Sequence, residues 1–279
     1  MAIKIVTDST SDISPEVAND LGIIVVPVYV RFGEEVYRDG VDIDDDGFYH
    51  KLTTSLVHPA TSQPTPEDFA RAYSDCSKKA DGIISIHVSA KTSGTCNSAL
   101  QGKKMVKGNC PIEVIDSRFT SVGLALVVMA AARLAKAGES LLSVFEETRR
   151  AIGQVRMLGI FDTMKYLLLG GRVSTVTASI ASILHIKPLL TFKNGEIVRA
   201  GLVRTYPQGV DRLYEFVESN HTIQDLAIAY STEPEQASQL KARLGSIFPE
   251  EKIHVAQLGA ALGVHGGPGV LAIALRRGV

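Results

Sequence analysis

Apolar residues in this chain fall in short blocks, each cut off by a polar or glycine-rich stretch and followed by a segment of helical spacing. Ile3 to Val6 is the first such block. Asp8-Ser-Thr-Ser-Asp12 follows it, and Ser14-Pro15-Glu16 opens a helix with serine as N-cap and proline at the first helical position. Ile23 to Val30, rich in valine and isoleucine, reads as a second buried strand, after which Phe32-Gly33 turns the chain into a hairpin extension over Glu34 to Tyr37. Asp42, Asp44, Asp45 and Asp46 lack the glycine and terminal glutamate of a calcium loop, and they suit the acidic start of a helix through Phe48 and Leu52. Thr65-Pro66-Glu67-Asp68 starts another helix with Thr65 as its cap. Thr61, Ser62 and Gln63 precede it on a proline-stiffened loop, with no structural duty of their own.

Gly82 to Val88 is a third strand, and it breaks into Ser89, Thr92, Ser93, Gly94 and Thr95 before a helix through Ala99 to Val106. Pro111 to Ile115 is a fourth strand ending in Asp116-Ser117-Arg118, and helical segments follow over Val122 to Lys136 and Leu141 to Gly153. This alternation predicts a mainly parallel sheet covered on both faces by helices. Ligands of such sheets bind beyond the C-terminal strand ends, where Asp8 to Asp12, Ser89 to Thr95 and Asp116 to Arg118 lie. Past residue 155 the β-type runs become shorter: Arg156 to Phe161, Ile186 to Phe192, Glu196 to Val203, Leu226 to Tyr230, Ile253 to Gln257 and Val270 to Leu275. Asn194-Gly195 marks a tight hairpin among them. The chain therefore reads as α/β with two domains. Residues 1–155 form a three-layer α/β/α unit on a mainly parallel sheet, and residues 156–279 form an α/β unit on a mixed or antiparallel sheet.

Composition narrows the class. The 279 residues are 45% hydrophobic and 21% charged, with a formal net charge of -1 and no dense Lys/Arg block, which argues against a nucleic-acid partner. The N-terminus lacks the apolar core of a signal peptide, and the longest apolar run, Val122 to Ala132, is too short to span a bilayer. Cys76, Cys96 and Cys110 match no metal or redox spacing and suit a reducing interior, so a cytoplasmic location is expected.

Three stretches carry candidate chemistry. Ser89 to Thr95 offers hydroxyls and backbone N–H groups to an anion, although the same residues serve as ordinary caps and turn formers. Thr163 to Arg172 reads as a helix of about two turns stopped by Gly170-Gly171. Arg172 beyond them either anchors an anion or a partner, or sits as a cation near a helix C-terminus. In Leu258 to Gly269 the glycines and proline around His265 suggest close backbone approach and an accessible imidazole. Ser93, Asp116 and His265 stand in the chain order of an α/β-hydrolase triad, which makes a serine esterase or acyl-transfer enzyme the alternative reading. Lys91-Thr-Ser-Gly-Thr95, however, lacks the glycine two places before the serine that a nucleophile elbow needs. No Walker A loop is present for phosphoryl transfer.

Thr7-Asp8-Ser9-Thr10-Ser11-Asp12, Thr61-Ser-Gln-Pro-Thr65, Ser93-Gly-Thr95 with Asn97-Ser98-Ala99, and Gly170-Gly-Arg172 with His265-Gly-Gly-Pro-Gly269 occur in an order and spacing that resemble the DegV family of bacterial fatty-acid-binding proteins. The resemblance runs over nearly the whole chain. It implies a two-domain protein holding one long-chain fatty acid in a tunnel between the domains, with no cofactor and no metal. It further implies a carrier subunit without catalysis of its own, which presents the carboxyl group to a separate fatty-acid kinase subunit for phosphorylation by ATP; a transient membrane contact is compatible with this reading. Carried over by position, Thr61 and Ser93 hydrogen-bond the carboxylate, His265 completes the network, and Arg172 faces the kinase. Ser62, Gly94, Thr95, Asn97 and Gly266 are further members of the polar pocket. The chain departs from the family pattern at Cys96 (an aromatic expected), Leu169 (a lysine) and Val264 (a threonine). Burying about ten to fifteen methylenes at roughly 0.8 kcal/mol each gives roughly 8 to 12 kcal/mol before association costs, so tail burial dominates affinity and head-group bonds fix position.

Overall fold

A computed structural model describes residues 2–172 and 186–278. Met1, residues 173–185 and Val279, which the two expected domain spans include, lie outside the described residues.

The first sheet is all parallel, in the order β2-β1-β6-β7, from β1 (Ile3–Asp8), β2 (Ile23–Val26), β6 (Gly82–His87) and β7 (Ile112–Asp116). Every residue of β6 is buried, as a central strand covered on both faces requires. On one face Val6, Val26, Ile83 and Ile112 pack against Phe69 and Tyr73 of α3 (Pro66–Ser77) and Ala99 of α4 (Thr95–Met105). On the other, Ile3, Ile5, Ile84 and Ile86 meet α1 (Pro15–Leu21), α5 (Ser121–Lys136) and α6 (Leu141–Gln154). The three-layer α/β/α expectation holds.

The second sheet runs β10-β9-β8-β13-β11-β12 and is mixed. Its strands are β8 (Val155–Ile160), β9 (Lys187–Lys193), β10 (Glu196–Val203), β11 (Ile223–Tyr230), β12 (Ile253–Gln257) and β13 (Leu271–Arg277), antiparallel at every step except β11 against β12. Asn194 and Gly195 both have positive φ, 53° and 86°, as the expected tight turn between β9 and β10 demands. Alternation along β11 and β13 divides the sheet's two faces. Leu226, Ile228, Leu271, Ile273 and Leu275 pack with α8 (Tyr206–Glu218) and α9 (Pro234–Leu244), whereas Ala227, Ala229, Ala272 and Ala274 face α5. These alanines let the helix backbone approach closely. Helix α5 is thus covered on both sides by sheets, and Ser121 through Ala132 are all buried. Its all-round apolar character comes from that position. Among the described residues no helix is long and apolar enough to cross a membrane.

Four expectations are corrected. The run Ile23 to Val30 is not one strand: it splits after β2 at Pro27, which has no N–H for a ladder, and resumes as β3 (Tyr29–Phe32) in a separate sheet. There β3 pairs antiparallel with β4 (Glu35–Arg38) and with β5 (Ala60–Ser62), so Thr61 and Ser62 are strand residues and the stretch has a structural duty after all. Helix α4 starts at Thr95, four residues earlier than its apolar spacing suggests. Helix α7 (Lys165–Leu169) is a single short turn. Between these elements, α2 (Asp45–Thr54) is capped by the Asp44 side chain, which accepts the Gly47 N–H at 2.8 Å.

Because α5 serves both sheets, shortening its core-facing side chains should loosen the whole molecule. Leu126→Ala, at a position 1% exposed, is expected to lower unfolding free energy by about 2–5 kcal/mol in urea denaturation, against less than about 0.5 kcal/mol for Leu142→Ala on the 65% exposed start of α6. Equal effects would show that α5 is not the shared core.

Candidate functional site

The C-terminal ends of β1 and β6 are locked together by buried polar groups. Asp8 accepts hydrogen bonds from the Val88 N–H (3.1 Å) and the Thr10 N–H (3.2 Å), and its Oδ2 lies 3.0 Å from His87 Nδ1. His87 Nε2 continues to Ser85 Oγ at 2.6 Å, and Ser85 Oγ to the Tyr73 hydroxyl at 2.8 Å. A carboxylate with this many donors is satisfied without solvent. It fixes Thr10 on one side and the start of the Ser89 to Gly94 loop on the other. Ser89 Oγ then donates to the Gly195 carbonyl at 2.7 Å, which docks the β9–β10 hairpin tip on that loop.

A second wall comes from α10 (Ala260–Gly266), which carries His265 in its last turn. Its N-terminus is held by carboxylates: Asp12 accepts the Gly259 N–H at 3.0 Å, and Asp39 accepts from Ala260 and Ala261. Burial raises both carboxyls above the ordinary range, and burial with neighbouring Asp39 lifts Asp45 to about 6. At the other end of α10, a side chain on Gly170 would collide with the His265 imidazole, and one on Gly267 (φ +70°) would collide with Tyr166. The two glycine motifs of the sequence therefore meet: α7 and α10 can approach only because those positions carry no Cβ.

Between these walls lies a cavity of about 200 Å3 whose polar lining includes Thr10, Thr61, Ser62, Ser93, Arg172 and His265. It adjoins an apolar cavity of about 80 Å3 walled by Phe161, Leu190, Val270 and others, and the two share Thr120, Leu167, Phe192, Ile197, Leu262 and His265. Larger clefts, of about 670 and 790 Å3, open at the surface beside Asp116 and beside Asp39, and neither holds Thr61, Ser93 or His265. The smaller pair is the candidate site, because hydroxyls, an imidazole and an apolar compartment converge there.

Within it, Thr61 Oγ1 and His265 Nε2 are 2.9 Å apart, and Ser93 Oγ is 2.8 Å from Thr95 Oγ1. Burial, with Arg172 and His58 as positive neighbours, pushes His265 down to about 3, so the imidazole is neutral. With its proton on Nε2 it donates to Thr61 and leaves the threonine hydrogen free for a ligand oxygen. Arg172 is exposed at the rim and donates from Nη1 to the Gly170 carbonyl at 2.7 Å. Gly94 packs on the Gln63 side chain, whose Nε2 donates to Ser98 at 3.2 Å. Thr95 is buried beneath Ser93, Asn97 is exposed on α4 outside both cavities, and Gly266 lines the apolar one. Cys96 lines neither cavity; it is buried behind the polar one with its Sγ toward the carbonyl of Val88, which lines it, and burial raises its thiol. Leu169 is exposed on α7, and Val264 is packed among Val28, Val30 and Phe48. Thr10, Thr120, Phe192 and Ile197 also line the site. Thr10 lay within a recognisable polar motif, but nothing in the sequence marked the other three.

Ser93, Asp116 and His265 do not form a relay. His265 Nε2 is on Thr61, its Nδ1 has no hydrogen-bond partner among the described residues, and Asp116 accepts from the Ala90 and Arg118 N–H groups. An imidazole with so low a proton affinity is also a poor general base at neutral pH.

Residues 2–277 match the family model described as "Uncharacterised protein, DegV family". A DegV domain-containing protein of Deinococcus radiodurans is 34% identical over 280 residues, covering 99% of this chain and 98% of that protein. Among solved structures, a DegV family protein from Thermus thermophilus described by its fatty acid binding superposes with TM-score 0.90 at 32% identity, over 99% of this chain and 100% of that one. DegV of Bacillus subtilis, described as a fatty acid binding protein, superposes with TM-score 0.91 at 31% identity over 100% of both chains. Matched from end to end by family, relatives and fold alike, the chain belongs to the DegV family.

Proposed function

We propose that this protein binds one long-chain fatty acid, with the carboxylate in the polar cavity and the tail entering the apolar one. The observation that carries the reading is the junction itself: donors on one side, hydrocarbon on the other, with His265 in both walls. A carboxylate taken from water needs its oxygens satisfied, and Thr61 and Ser93 are the groups to do it, with Ser62 in the same lining and Thr95 behind Ser93 in support, whereas Gly94, Asn97 and Gly266 stand outside the polar cavity. With its proton on Nε2, the neutral His265 holds Thr61 in its donating orientation. Fatty acid binding by the Thermus and Bacillus relatives supports the same ligand class.

The finer reading has two domains, 1–155 and 156–279, with the ligand tunnel between them, and a cytoplasmic carrier without catalysis of its own. A separate kinase subunit phosphorylates the presented carboxylate. Arg172 lines the polar cavity at its edge and is exposed, which supports a partner contact there, since its solvent-facing charge can meet a second surface while the lipid stays in place.

Native mass spectrometry of protein expressed in bacteria is expected to find a co-purifying fatty acid in the C14 to C18 range, the length assumed for tail burial at about 0.8 kcal/mol per methylene. Empty protein that also refuses palmitate and oleate overturns the proposal. Ser93→Ala is expected to weaken ligand binding by about tenfold, a lost bond to a charged acceptor, whereas Arg172→Ala should leave lipid content intact and lower acyl-phosphate formation with a kinase subunit. Loss of lipid in Arg172→Ala would reverse that division of roles. His265 is already neutral well above about 3, so palmitate affinity should be flat between about pH 6 and 8, and a step near the ordinary imidazole value of about 6.5 would contradict the neutral assignment. The unfolded chain takes up a proton on this histidine below about 6.5 while the folded one does not, so its contribution to stability falls as pH drops toward about 3.

A further inference from the structure

The hydroxyls lining the polar cavity differ in what their protons already do. Thr10 Oγ1 donates to Asp8, and Thr92 Oγ1 donates to the Ser89 carbonyl at 3.0 Å, so both are spent inside the protein. Thr61 has His265 Nε2 as its partner, and Ser93 accepts the Thr95 N–H at 3.3 Å and faces Thr95 Oγ1; each keeps a free proton when its facing side chain is the donor. Thr120 stands apart. Its Oγ1 is shut off from solvent and has no hydrogen-bond partner among the described residues, although the residue lines both cavities.

Its place in the fold explains why that hydroxyl is free. Thr120 is the N-cap of α5, with extended backbone (φ -141°, ψ 175°), and its carbonyl accepts from Gly123 and Leu124. The usual side-chain cap bond is not made. The next residue, Ser121, is left-handed at φ 50° and is held there by burial and by its hydroxyl bond to Asp12. A buried hydroxyl without a partner is unfavourable unless a ligand supplies one. In the apolar cavity the neighbouring hydroxyls are already engaged, Ser121 with Asp12 and Thr191 with the Met157 carbonyl at 2.6 Å.

Resting on the fatty-acid reading above, we propose that Thr120 Oγ1, buried and unpartnered, turns about the Cα–Cβ bond into the cavities its residue lines and becomes a third donor to the bound carboxylate, meeting the oxygen on the side where the tail enters the apolar cavity. Its position at the start of α5 favours a negative group there. The carboxylate is then gripped from three walls: Thr61 on β5, Ser93 before α4, and Thr120 before α5.

The test measures palmitate and 1-hexadecanol binding by the unsubstituted protein, Thr120→Val and Thr120→Ser, with melting temperatures for each. Thr120→Val is expected to weaken palmitate about tenfold and hexadecanol less than about threefold, because a bond to a charged acceptor is the stronger one. Thr120→Ser should retain palmitate affinity within about threefold. Unchanged palmitate binding in Thr120→Val overturns the inference and leaves the fatty-acid reading standing. Equal losses for both ligands with a lowered melting temperature overturn it in favour of a structural role. Failure of the unsubstituted protein to bind palmitate overturns both readings.

Discussion

Burial of α5 on both sides is the constraint on which the rest of the molecule depends. One helix, apolar from Ser121 to Ala132, is the shared layer between a parallel sheet and a mixed sheet. Isoleucines line the first sheet's contact with it, and alanines line the second's. The asymmetry has a physical reason: the sheet with small side chains lets the helix backbone come close, while the larger side chains of that sheet are spent on α8 and α9. Because the two sheets are registered against the same helix, the loops at the start of α5 stand at a fixed place between them.

That place is the candidate site. Its groups come from distant parts of the chain, and each is positioned by buried polar bonds. Asp8 ties the ends of β1 and β6, Asp12 ties the start of α5 to the start of α10, and Ser89 ties the β9–β10 hairpin to the loop before α4. Bonds of this kind stabilise little on net but cost much when one partner is missing, so they act chiefly as registration. The result is a graded compartment, with hydroxyls and a neutral imidazole at one end and leucine, isoleucine and phenylalanine at the other. Such a gradient suits an amphiphile better than a small polar substrate, which would leave the apolar end unfilled.

The sequence by itself determined the class of fold and singled out several residues, Thr61, Ser62, Ser93, Arg172 and His265, that the structure brings to one cavity. Apolar blocks alternating with helical spacing were enough for the parallel sheet, Asn194-Gly195 for the hairpin, Ser14-Pro15 and Thr65-Pro66 for two helix starts, and the ordered hydroxyl, glycine and histidine motifs for the family. These signals are local, set by backbone propensity and capping chemistry within a few residues. Tertiary structure alone decided what was not local. It decided that Thr61 sits on a strand, because β5 exists only by pairing with β3 some thirty residues earlier in the chain. It placed Asn97 in solvent and Gly94 against Gln63, since the helical rotation that decides which side of α4 faces the cavity depends on what α3 packs against it. It separated Asp116 from His265, which chain order alone had left as members of one triad. Thr120, ordinary in composition and spacing, comes to notice only because a helix packed between two sheets sets it, with its buried and unpartnered hydroxyl, in the wall the two cavities share.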